Sequence, residues 1–122
     1  MKTEYANENQ LQAACYSWWN THFRRVTCLF SVPNGGTRNP KEAMNLTATG
    51  LLAGVYDLIL LSPDGRVAFI ELKNGPQQLR PKQKLFKARA EALGHHLYQA
   101  NSLLEFQTAV CQEIGVTLIA YL

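Results

Sequence analysis

The sequence predicts a single α/β domain built on one β-hairpin, with a sheet covered on both faces by helices. Three observations predict it. A chain of 122 residues holds one core and little more. Stretches of helical apolar spacing alternate with short apolar, β-branched runs. The run Val55–Lys73 contains two strand-like segments around Ser62-Pro63-Asp64-Gly65, apolar on both faces, and such a sheet is normally covered on both sides.

The elements follow in order. Asn7 suits the N-cap of a helix from Glu8 to about Phe23, with Leu11, Ala14, Cys15, Trp18 and His22 on its inner face. Val26–Val32 reads as a strand stopped by Pro33. Asn34-Gly35-Gly36-Thr37-Arg38-Asn39-Pro40 is a turn-rich loop. A second helix is expected over Lys41–Leu52, ended at Ala53-Gly54, where glycine suits a C-cap. After the hairpin, Pro81 opens a helix that reaches about Leu93 before Gly94, burying Leu85, Phe86, Ala88, Ala92 and Leu93. His95–Gln99 reads as a short strand, and its adjacent histidines point to opposite faces. Asn101 or Ser102 caps a last helix to Ile114, with Leu103, Phe106, Val110 and Ile114 inward, and Gly115 breaks it. The apolar tail Val116–Leu122 is expected to complete the sheet or to pair with another subunit.

Composition narrows the classes of function. No run approaches the ~18 apolar residues of a membrane span, and the N-terminus lacks the apolar region of a signal peptide. Cys15, Cys28 and Cys111 are scattered without metal-binding or disulfide spacing and fit a reducing compartment, so a cytoplasmic protein is expected. There is no phosphate-binding loop, no dinucleotide Gly-x-Gly-x-x-Gly, no nucleophile elbow and no Cys/His nucleophile constellation, so no nucleotide cofactor is expected.

The hairpin carries the chemistry. With Pro63 at the second position of a type I turn and Gly65 in the left-handed position that closes it, the loop has three residues and Ser62 faces Arg66. Counting outward, Asp57 faces Glu71, and Lys73 lies one pleat further on the same face. Opposed carboxylates repel, and a divalent cation held by their oxygens removes that repulsion. Glu8 either serves the dipole of its own helix or adds a third carboxylate. From Lys73 to Ala90 there are basic residues at Lys73, Arg80, Lys82, Lys84, Lys87 and Arg89 and no acid, half of the chain's twelve lysines and arginines. Alone, such a run is a solvated face; beside a metal site it reads as a track for a phosphate backbone. The loop at Asn34, Gly35, Gly36 and Arg38 is either a connector or a second phosphate contact. Acids, a lysine and a cationic track together meet the needs of phosphodiester hydrolysis, with the lysine orienting water or stabilising the transition state.

Gly54-Val55-Tyr56-Asp57 followed by Glu71-Leu72-Lys73 resembles the PD-(D/E)xK nuclease signature. With Glu8-Asn9-Gln10-Leu11, Val32-Pro33-Asn34-Gly35-Gly36 and Pro81-Lys82-Gln83, residues 8 to 100 resemble a standalone VRR-NUC (virus-type replication-repair nuclease) domain. Tyr56 stands where the family usually has proline, and Ser31 where it has histidine. The resemblance implies a restriction-endonuclease-like central mixed β-sheet with helices on both faces, one domain over residues 1–122. It implies Asp57, Glu71 and Leu72 as metal ligands, Lys73 as the catalytic lysine, and Glu8 and Gln83 as accessory positions. It also implies Mg²⁺ or Mn²⁺ and structure-selective DNA cleavage, with a homodimer resolving four-way (Holliday) junctions in a bacterial or phage setting. Cleavage of flaps, single strands or RNA, or an inactive DNA-binding module, are the alternatives.

Overall fold

Asn7 accepts a hydrogen bond from the Gln10 amide and opens helix α1, Glu8–Phe23. The computed structural model describes residues 3–33 and 39–122. Strand β1 (Cys28–Ser31), helix α2 (Pro40–Ala48), strands β2 (Leu58–Leu61) and β3 (Val67–Leu72), helix α3 (Pro81–Ala92), strand β4 (His96–Ala100) and helix α4 (Leu103–Ile114) follow. The sheet has four strands in the order β1-β2-β3-β4. β1, β2 and β3 pair antiparallel, and β4 joins β3 in parallel after the crossover through α3. The expected mixed α/β architecture, with the hairpin at its centre, is what the chain forms.

One sheet face holds the core. Leu29, Leu58, Leu60, Ala68, Ile70, Leu72 and Ala100 pack against Leu11, Cys15, Trp19 and Phe23 of α1 and Phe106, Val110 and Cys111 of α4. On the opposite face α3 covers the β3–β4 part, where its Phe86 meets Phe69 of β3 at 5.1 Å between ring centres, and Phe30 of β1 and Leu61 of β2 stay exposed. His95 also lies against Phe69, while His96 turns to α4. The neighbouring histidines therefore do face opposite sides.

Several elements differ from expectation. The buried stripe of α1 runs Leu11, Cys15, Trp19, Phe23 rather than through Trp18 and His22. Trp19 can be buried because its Nε1 donates to Thr27 Oγ1 at 2.8 Å. Trp18 is half-buried and donates to the Tyr121 carbonyl, and His22 is exposed. α2 stops at Ala48, where Thr49 turns its hydroxyl back onto the carbonyls of Asn45 and Leu46. None of its residues is buried. In α3 the buried positions are Gln83 and Ala90, and Leu85 and Leu93 are exposed. β1 is shorter than expected because the Val26 and Thr27 amides are held by the Phe23 carbonyl in a turn. The tail forms a short 3₁₀ turn, Leu118–Tyr121, with Tyr121 4.6 Å from the ring of Phe23; it neither adds a strand nor extends the sheet.

The inward side of α4 also carries an acid. Glu113 is 2 % exposed, and its Oε1 lies 2.7 Å from His96 Nδ1 and accepts from Tyr98 OH at 3.0 Å. Burial, helped by Glu113, pushes the Tyr98 hydroxyl up to about 12, so it stays a donor. This cluster pins α4 to the edge strand. Glu113→Ala leaves two polar partners without an acceptor and is expected to lower stability by roughly 1–3 kcal/mol. Urea denaturation measures it, and His96→Ala, at a far more exposed position, is expected to lose less.

Candidate active site

The turn sets the register. Ser62 N donates to the Arg66 carbonyl at 2.9 Å, and the β2–β3 ladder runs from Leu61↔Val67 to Leu58↔Ile70. Within the turn, both Asp64 (φ 67°) and Gly65 (φ 74°) are left-handed, not Gly65 alone as a type I turn requires. Aspartate tolerates that region, and the proline ahead of it holds φ near the value the turn needs. The loop length is unchanged, so the count outward is too.

Asp57 and Glu71 meet where the next rung falls. The Asp57 amide donates to Glu71 Oε1 at 3.1 Å, and the Leu72 amide donates to Asp57 Oδ2 at 3.0 Å. Each carboxylate takes an amide of the other strand, in place of a carbonyl. Lys73 keeps the β4 side in place by donating its amide to the Ala100 carbonyl. Its Nζ sits 3.3 Å from Glu71 Oε2, both side chains being 4 % exposed. Gln83 completes the group. Its Nε2 donates to Glu71 Oε2 at 2.7 Å, while its Oε1 accepts the Arg80 amide at 2.8 Å, the backbone half of a capping box at the start of α3.

Burial, and then the Asp57 charge, push the Glu71 carboxyl up to about 7, with Lys73 and the Asp57 amide pulling the other way. One lysine does not balance two carboxylates so close together.

Two residues beyond those expected at the site set the geometry. Gly54 (φ +91°) is not a helix cap: a Cβ built there would collide with the Lys82 carbonyl group and lie 2.9 Å from the Gln83 nitrogen. Its missing side chain lets α3 come down onto the hairpin. Asn74, 7 % exposed, grips the backbone of Tyr5 by donating Nδ2 to its carbonyl and accepting its amide, which tethers the segment leading to Glu8. Tyr56 is fully buried against Phe86, and its hydroxyl has no partner among the described residues.

Asp57, Glu71, Lys73 and Gln83 thus share one cleft of about 750 Å³, and Glu8, Arg80 and Lys82 line it as well. Among the described residues, no three His, Cys, Asp or Glu side chains are gathered closely enough to bind a metal together, so Glu8 stands on the wall and outside the carboxylate pair. The basic track is shorter than its sequence: Lys84 is exposed, but Lys87 pairs with Glu91 at 3.1 Å. That pairing is an ordinary contact one helical turn apart. Asn34, Gly35, Gly36 and Arg38 lie outside the described residues.

Gly54→Ala is expected to destabilise the fold by roughly 1–3 kcal/mol through overpacking, and to displace Gln83 from Glu71. A thermal melt measures the first effect. For pH, Glu71 loses its proton near 4.5 when unfolded but holds it to about 7 in the fold. The folded state then binds the extra proton between those values, so its stability falls as pH rises from 4.5 toward 7. Glu71→Gln is expected to flatten that part of a plot of thermal midpoint against pH in metal-free buffer.

No family model and no curated protein matches the chain. Solved structures do. A "VRR_NUC domain protein" superposes with a TM-score of 0.74 over 93 % of this chain and 92 % of that one, at 19 % identity. A "VRR_NUC domain" gives 0.57 over 84 % and 92 %, at 16 % identity. With its mixed four-stranded sheet and flanking helices, the chain has the VRR-NUC fold.

Proposed function

We propose that the protein is a metal-dependent nuclease that hydrolyses DNA phosphodiester bonds, selects branched DNA of the four-way-junction kind, and works as a homodimer. One observation carries the reading: a buried carboxylate, Glu71, is held at once against Asp57, Lys73 and Gln83 in an open cleft. The likeness in fold to VRR_NUC domain proteins supports the nuclease class.

The donor set suits Mg²⁺ or Mn²⁺. Mg²⁺ binds through one or two carboxylates and keeps several waters, so Asp57 and Glu71, with the Leu72 carbonyl, form a sufficient ligand set. Burial, and then the Asp57 charge, hold the Glu71 proton to about 7, and a bound cation would favour its release. When bound, such an ion would polarise the phosphate and supply a hydroxide near neutral pH. The protein does the rest. Lys73 presents a compact ammonium that orients the attacking water or takes up charge developing on the phosphate oxygens. Gln83 holds Glu71 Oε2 and fixes the direction of the carboxylate. Glu8, on the cleft wall, would hold a water there. Arg80, Lys82 and Lys84 offer charges to the DNA backbone.

For the dimer, the support is an apolar strip on the α3 side of the sheet. Phe30 and Leu61 are 41 % and 43 % exposed there, more than a monomer needs to leave wet. One site per chain would then give two cuts related by a two-fold axis.

The test compares four-way junction, flap, duplex and single-stranded DNA with Mg²⁺ and with EDTA. Metal-dependent cuts at symmetric positions in the junction are expected. Lys73→Ala is expected to lower the cleavage rate by about 10²–10³-fold with junction binding nearly unchanged. Full activity in EDTA, or unimpaired cleavage by that variant, overturns the mechanism.

A further inference from the structure

A second hollow adjoins the catalytic cleft. It measures about 470 Å³ and lies between α3 and the segment after α2. The two share Leu51, Leu52, Ala53 and Lys82 as a common wall. Leu51, Leu52 and Leu85 are exposed by 38 %, 44 % and 62 %, unusual for leucines at the mouth of a polar site. Phe86 forms part of the lining, and Lys82 and Arg89 supply the charge; among the described residues none of the lining is acidic. Apolar walls edged only by cations match the two halves of a nucleotide: flat base faces that leave water readily, and a phosphate that needs a positive partner.

Resting on the nuclease reading above, we infer that this hollow takes one unpaired nucleobase of the DNA strand being cut, held against Leu51, Leu52, Leu85 and Phe86, with Lys82 and Arg89 on the flanking phosphates. Lys82 stands on both walls, so the base lies within a nucleotide or two of the scissile phosphate. A fully paired duplex keeps its bases stacked inside and cannot fill the hollow without extruding one, which costs unstacking energy. Flaps and single strands present such a base at no further cost, and at a branch point, where stacking is interrupted, extruding one costs less than within a continuous duplex. Selection for branched DNA would then come from this apolar pocket as well as from the geometry of a dimer.

The experiment is an abasic scan. The cut position in a four-way junction is mapped for the full wild-type chain with Mg²⁺, and single abasic sites are placed two nucleotides to either side. At one position the abasic site is expected to raise KM about tenfold or more, with the other positions near unity. The double variant Leu52→Ser, Leu85→Ser changes only exposed side chains. On intact junction it is expected to lose a similar factor, and the abasic site then adds nothing further. Wild-type cleavage with a flat scan overturns the inference and leaves the nuclease reading standing; no metal-dependent cleavage by the wild type overturns both. If light scattering shows the double variant dissociating a wild-type dimer, the hollow is a contact between copies and the inference falls. Should the double variant not fold, the wild-type scan alone decides.

Discussion

Everything at the site depends on an exchange at the open end of the hairpin, where two strand amides give their hydrogen bonds to carboxylates in place of carbonyls. Asp57 holds the Leu72 amide and Glu71 holds the Asp57 amide. A ladder rung normally fixes backbone only. Here the same bonds fix two side chains, so strand pairing and site geometry are one constraint. A slip of one residue in the hairpin would send Asp57 and Glu71 to opposite faces. The turn at Ser62–Arg66 therefore governs chemistry at the far end of the strands.

The rest of the fold brings partners to that pair from elsewhere in the chain. β3 carries Lys73 in directly, and pairing with β4 holds it there. α3 delivers Gln83, whose amide is itself held by the capping box, so the group touching Glu71 is anchored at both ends. Gly54 sets how closely that helix approaches. Asn74 ties the N-terminal segment to the same strand, and so relates Glu8 to the cleft. Each tie is modest in energy. Together they leave Glu71 few alternative positions, and a buried polar group so surrounded is one whose proton responds strongly to added charge.

Features set by local chemistry were legible in the sequence. The Ser62-Pro63-Asp64-Gly65 turn gave the register although its internal angles differ from expectation, because loop length and not turn type fixes which residues oppose. Asn7, Ser102 and Gly115 marked helix ends that the fold uses. What depends on the third dimension was not legible. Gly54 reads as a helix stop, since a glycine needed for close approach and one needed for a cap are the same residue in a list. Trp18 and Trp19 are one helical step apart, each indole has a partner beyond the helix, at Tyr121 and at Thr27, and only the packed fold shows which is buried. The run of cations from Lys73 to Arg89 conceals that Lys87 is already engaged by Glu91, just past its end. The acid Glu113 sits inside because His96 and Tyr98 meet it there, a meeting between segments that spacing along α4 does not disclose.

The order in which the parts are synthesised follows from the way the core face is covered. Leu58, Leu60 and Ile70 belong to strands ahead of α3, but part of their cover comes from α4, made later. Glu4 reaches across to accept the Leu103 amide at the start of that same helix. Translation releases the hairpin, with both cleft carboxylates, before Phe106 and Val110 exist to close over its reverse side. For that interval a nascent chain displays most of the cleft's polar groups on a sheet whose other face is oily and open. Any stalled or clipped product ending after β4 keeps that face, and with it a reason to be bound by chaperones or to aggregate.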